Sequence, residues 1–134
     1  MRLSPLSPEA ARLERRERWS RDRAAAQALR TAFPKVAQLR LDLTFSGAGS
    51  TTPVSQSHVL HPPAQAFFGF PCPYADCDGH FDLSAVVTAA LRSSVRHIQG
   101  TQECAGVRAR DRAGKQLCNL QLNYVITADY RREA

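Results

Sequence analysis

The stretch Gln38-Leu39-Arg40-Leu41-Asp42-Leu43-Thr44-Phe45 alternates apolar and polar residues without a break. Successive side chains of an extended chain point to opposite faces, so Leu39, Leu41, Leu43 and Phe45 share one face and Gln38, Arg40, Asp42 and Thr44 the other. The same rhythm returns near the end of the chain, in a strand expected over about Gln116 to Tyr130. There Leu120, Leu122, Tyr124, Ile126 and Ala128 alternate with Gln121, Asn123, Val125, Thr127 and Asp129. A strand over about His97 to Arg108 precedes it, joined through the turn-forming Asp111-Arg112-Ala113-Gly114. These elements predict an α+β fold built on a small antiparallel sheet of about four strands.

Between the strands, a Gly/Ser/Thr-rich loop from Ser46 to Ser55 leads to a short extended segment, His58 to His61, broken by Pro62-Pro63. Extended structure resumes from Ala66 to Phe70. Asp82 is placed to cap a packing helix over about Leu83 to Arg92, rich in small apolar residues. Upstream, Ser7-Pro8-Glu9 has the form of a helix start and predicts a helix from about Pro8 to Ala32, ended by Pro34. Its first half has almost no apolar face, whereas Trp19, Ala26, Leu29 and Phe33 form a stripe by which the second half docks. Glu14 and Arg18, and Glu17 and Arg21, are acid-before-base pairs four apart that support a solvated helix. The chain thus divides into a charged N-terminal helix, residues 1–34, and an α+β domain, residues 35–134.

A length of 134 residues leaves room for one such domain and a tail. Hydrophobic residues make up 43% and charged residues 22%, which excludes a wholly disordered chain, and no run approaches the roughly 18 apolar residues of a bilayer-spanning helix. The start, Met1-Arg2-Leu3-Ser4-Pro5, carries no secretory signal, and the expected compartment is the cytoplasm. The net charge of +6 favours anionic partners. Residues 1–31 hold eight arginines against four acids, and only Lys35 and Lys115 are lysines.

The chain has four cysteines, Cys72, Cys77, Cys104 and Cys118. Four thiolates complete the tetrahedral shell that Zn2+ takes in structural sites, and a cytoplasmic chain rarely keeps disulfides. Four reduced core cysteines are the alternative. The first pair sits in Phe70-Pro71-Cys72-Pro73-Tyr74-Ala75-Asp76-Cys77-Asp78-Gly79-His80-Phe81, where Pro and Gly suit a tight knuckle whose backbone N–H groups can point at sulfur. For the second pair, a turn at 111–114 sets Arg110 against Lys115 and Cys118 against Val107. Regular pleating then leaves Cys104 and Cys118 on opposite faces, and an extra, bulged residue at Gly106 restores the parity. His80, three residues after Cys77, is a further candidate ligand. In these four cysteines, within roughly residues 66–130, the chain resembles the zinc-ribbon class, in which a two-cysteine knuckle faces a second pair on a β-hairpin. Its C-x4-C departs from the commoner C-x2-C. The resemblance implies a structural metal and binding to nucleic acid or protein, and no catalysis.

Pro71-Cys72 followed by Cys77 also resembles the cysteine half of zinc-dependent nucleobase deaminases, but no His-x-Glu occurs and no Glu lies between Glu17 and Glu103. The proton-shuttling residue is missing, and with it the expectation of an enzyme. Two functions remain. A protein-binding adaptor uses the helix and any open strand edge, with its arginines meeting an acidic partner. A nucleic-acid-binding module (DNA or RNA) instead sets Arg108, Arg110, Arg112 and Lys115 of the hairpin tip, and Arg12, Arg15, Arg16 and Arg18 of the helix, on phosphates, with Phe68 or Tyr74 stacking on bases. Aromatics beside a knuckle form its small core more often than a stacking platform, which favours the adaptor.

Overall fold

A computed structural model describes residues 8–47, 53–74, 77, 79–108, 116–118 and 120–132. The decisive stretch lies within β1 (Val36–Ser46), with Leu39, Leu41, Leu43 and Phe45 buried as the alternation requires. Val36 is buried as well, and a register shift between Val36 and Gln38 brings it to the same side. β1 pairs with β2 (Val54–Leu60) and with β8 (Gln121–Tyr130), and β8 pairs in turn with β5 (His97–Glu103), every pair antiparallel. The four-stranded sheet therefore runs β2-β1-β8-β5. From β8, Leu122, Tyr124, Ile126 and Ala128 join the β1 side chains on one face. The opposite face, with Arg40, Asn123 and Asp129, is exposed.

The buried face is covered by Phe81 and Leu83, by Val87 and Leu91 of the helix α3 (Ser84–Arg92), and by Leu29. Val87, Ala90 and Leu91 lie three and four positions apart, one stripe of a helix, and all three are buried. The helix starts one residue later than expected, so Leu83 and not Asp82 holds the N-cap position, although Asp82 Oδ1 accepts the N–H of Ser84, the first helical residue, at 2.9 Å. Two short strands, β3 (Gly69–Pro71) and β4 (His80–Asp82), form a separate ladder that carries the chain around the first cysteine pair.

Three expectations need correction. The N-terminal helix is two helices, α1 (Pro8–Ala25) and α2 (Leu29–Ala32). Ala26-Gln27-Ala28 contains no helix breaker, but the backbone there is claimed by the segment after Pro62-Pro63: Ala28 bridges Gln65, Ala66 N–H donates to Gln27 O, and Leu29 N–H donates to Ala64 O. Burying Leu29 completely and pairing four residues of backbone outweighs helix continuity, since isolated helices are marginal without tertiary packing. The extended segment proposed for His58 to His61 is instead the seven-residue β2, an edge strand whose pairing with β1 sets His58 half-buried on the inner side, its ring tilted against Phe70 at 4.9 Å. The long C-terminal hairpin is interrupted: β6 (Val107–Arg108) and β7 (Gln116–Leu117) pair beyond a break that holds both Cys104 and Cys118.

Candidate metal centre

The register across that break decides how the second cysteine pair is formed. Val107 stands opposite Leu117, not opposite Cys118. β5 and β8 keep the same register on the other side of the break, with Cys104 N–H donating to Leu120 O at 2.8 Å and Cys118 N–H donating to Gly106 O at 3.0 Å. Cys118 thus faces Gly106, two residues from Cys104, and regular pleating puts both thiols on one face. No bulged residue is needed; the predicted parity conflict came from placing the turn one residue out of register.

The four Sγ atoms lie within 4.8 Å of one another. Cys72 and Cys118 are 3.7 Å apart and Cys77 and Cys104 are 3.6 Å apart, far beyond a disulfide bond, and all four thiols are free. A tetrahedral ion with metal–sulfur bonds of about 2.3 Å separates its ligands by about 3.8 Å along each edge. The cluster is therefore pre-shaped for one ion. Cys72, Cys77 and Cys104 are buried and Cys118 is half-buried. His80, on β4 opposite Pro71, is exposed and stands outside the four-sulfur group.

The two halves of the centre repeat one another. Gly79 N–H donates to Cys77 Sγ at 3.3 Å and Gly106 N–H donates to Cys104 Sγ at 3.4 Å. Cys72 N–H donates to Gly79 O at 3.0 Å, as Cys118 N–H does to Gly106 O. Each half is thus a Cys-x-Gly turn answered by a second cysteine bonded to the glycine carbonyl. The glycines face each other across an approximate two-fold. A methyl group on Gly106 would lie 2.5 Å from Gly79 N and Cα and 2.8 Å from Cys77 Sγ, and one on Gly79 would lie 2.8 Å from Gly106 Cα. Only hydrogen fits between the turns. Sequence reasoning marked the two glycines separately; the signal that joins them is the repeated spacing in Cys77-Asp78-Gly79 and Cys104-Ala105-Gly106.

Electrostatics follow from crowding four thiols. Hydrogen bonding from Cys72, with help from the Gly106 N–H, pulls Cys104 down to about 5, so the cluster readily carries one thiolate. Burial and the neighbouring thiols push Cys77 up to about 12, and the hydrogen bond to Cys104 together with burial pushes Cys72 higher still. Bringing off the remaining protons takes a cation at the centre, which is what a metal supplies.

Beside the centre, α1 docks through Trp19, whose Nε1–H donates to Gly69 O at 2.7 Å and whose ring meets Phe67 edge-on at 5.7 Å. A cleft of about 170 Å³ lies between the helix and the first knuckle, with Arg15, Arg16, Arg18, Trp19, Phe67 and His80 in its walls and the acids Asp22 and Asp82 among them. Arg15, Arg16 and Arg18 are exposed, and Arg18 pairs with Glu14 at 3.3 Å. Of the other basic candidates, Arg12 lies on α1 and Arg108 on β6, both with side chains outside those described, and Arg110, Arg112 and Lys115 lie outside the described residues. Phe68 is 3% exposed and belongs to the core, so it offers no stacking face; Tyr74 packs half-buried against that core. Among the described residues no helix is long and apolar enough to cross a membrane. Comparison with models of protein families, with curated proteins and with solved structures finds no match to this chain.

Proposed function

We propose that the four cysteines bind a single structural zinc ion and that the chain is a non-catalytic interaction module, an adaptor for an acidic protein partner. The observation that carries the metal reading is the closed set of sulfurs with 3.6 and 3.7 Å edges, steadied by two backbone N–H donors. Four protein thiolates fill a tetrahedral shell and leave no position for a reacting water, which supports a structural role over a catalytic one. A cluster of several irons needs its cysteine sulfurs spread around the whole cluster, wider than 4.8 Å, which supports a single ion. Reduced thiols suit the cytoplasm.

The adaptor reading is supported by the cleft beside the centre. Arg15 and Arg16 have no acidic partner among the described residues, and they flank an apolar wall of Trp19 and Phe67. An acidic peptide with one apolar side chain matches both features. Native mass spectrometry of the purified chain tests the metal: one zinc per chain is expected, and iron or a metal-free, fully stable protein refutes it. Binding to generic duplex at several salt concentrations tests the partner. The adaptor predicts affinities no tighter than the non-specific range of about 10⁻⁴ to 10⁻⁶ M. Submicromolar duplex binding that falls steeply with salt makes nucleic-acid recognition the function instead.

A further inference from the structure

Strand β5 is an edge of the four-stranded sheet, and no described segment pairs with its outer side. Cys104 and Leu120 form a hydrogen-bonded pair at one end of its ladder with β8, and Ala128 N–H donates to Arg96 O at 2.9 Å at the other. In an antiparallel ladder such pairs recur at every second residue. Ile98, Gly100 and Gln102 therefore spend their backbone groups on β8, while His97, Gln99, Thr101 and Glu103 aim theirs outward. Exposed edges are ordinarily blunted by Lys, Pro or inward charges. His97-Ile98-Gln99-Gly100-Thr101-Gln102-Glu103 has no Lys and no Pro, and its inward side chains are uncharged.

We propose that a second copy of this chain occupies that edge, the two β5 strands pairing antiparallel about a two-fold axis at Gly100 to make one continuous sheet across the dimer. This goes beyond the adaptor function and does not depend on it. The register follows from the residues. With Gly100 opposite Gly100 of the second copy, Gln99 faces Thr101 and His97 faces Glu103, so the outward backbone groups of all four odd-numbered residues are satisfied, by about eight hydrogen bonds. The same register sets an imidazole against a carboxylate at both ends, a pairing that favours this alignment over its neighbours. The other edge, β2, has no acid along its length to set against His58.

Tyr124 gives a second, independent pointer. Its side chain is 8% exposed and its hydroxyl has no hydrogen-bond partner among the described residues. The ring crosses Gly100 so closely that a methyl group there would collide with the hydroxyl and lie 2.7 Å from Cζ. At the two-fold, the hydroxyls of the two copies meet over the paired glycines and can bond to each other.

Analytical ultracentrifugation of the intact, metal-loaded chain at low to middle micromolar concentration reads the outcome. A species of twice the 14.8 kDa chain mass is expected. His97→Glu sets carboxylates opposite each other and should weaken the dimer at least tenfold; adding Glu103→Lys should restore it. Thr101→Pro removes an outward N–H without touching the β8 ladder and should give a monomer with unchanged circular dichroism and metal content. A monomeric wild type over the whole range overturns the proposal, as does a dimer that His97→Glu leaves intact.

Discussion

Replacing Gly106 by Ala adds one methyl group at the point where the two knuckles touch. That methyl would meet Gly79 N and Cα at 2.5 Å and Cys77 Sγ at 2.8 Å, well inside the 3.5–4.0 Å at which carbon atoms attract. Two of the three atoms are backbone, so no side-chain rotation relieves the clash, and the knuckles must separate by about 1 Å. Overpacking by one methylene costs about 1–3 kcal/mol, and a backbone-to-backbone clash belongs at the upper end. The alanine recovers about 0.4–1 kcal/mol by restricting the unfolded chain. The net loss is then about 2 kcal/mol, taken from the geometry that brings Cys77 and Cys104 together. Zinc competition against a chromophoric chelator should show affinity lowered more than tenfold, since about 1.4 kcal/mol is a factor of ten. Gly69→Ala is the control: the added methyl would press on the far end of the Phe67 ring, at 3.0 and 3.3 Å, and reach ordinary contact with Trp19 Nε1 at 3.5 Å, away from the sulfurs, and the metal should bind as in the wild type. Should Gly106→Ala bind zinc as tightly as Gly69→Ala, the facing-turn account of the centre is wrong.

Cys104→Ser should cost several kcal/mol and abolish stoichiometric metal, read by denaturant unfolding and native mass spectrometry. Trp19→Ala should release α1 while the sheet stays folded, costing about 2 kcal/mol through lost packing and the lost bond to Gly69; limited proteolysis between Arg12 and Arg23 would rise, whereas Arg16→Ala should change nothing. Burial, with Arg23 nearby, lowers the pKa of His58 from its ordinary 6.5. The folded state therefore holds fewer protons on this ring than the unfolded chain, and stability present above pH 6.5 is lost as pH falls towards the folded value. His58→Gln should flatten that acid limb in pH-dependent unfolding, and an unchanged limb would refute the assignment.

How far the sequence alone leads depends on what decides each element. β1 and β8 are decided by their own alternation, because one face of each is dry, and both were readable residue by residue. The four cysteines were readable as one set because they are the chain's entire complement. The break between α1 and α2 was hidden: Ala26, Gln27 and Ala28 favour helix locally, and the competing bonds come from residues near 62–66, far along the chain. The hairpin register was hidden for a related reason. A shift of one residue moves every side chain to the other face, and the position of the turn within a run of polar residues carries too little pattern to fix it. The three arginines in the cleft were foreseen as basic, but their meeting with Trp19 and the knuckle depends on how α1 docks, which charge patterning does not encode.

The order of strands in the sheet also bears on how the chain is made. β8, one of the two central strands, is translated after all the others described, and until it emerges the inner edge of β1 has no strand to pair with. At about 5–20 residues per second, several seconds pass between the emergence of Ser46 and that of Gln121. Throughout that interval β1 can pair only with β2, and a two-stranded ribbon is marginal in water. The nascent chain is therefore a ready client for chaperones that cover extended hydrophobic segments, and slowing translation after β2 should lengthen its dependence on them.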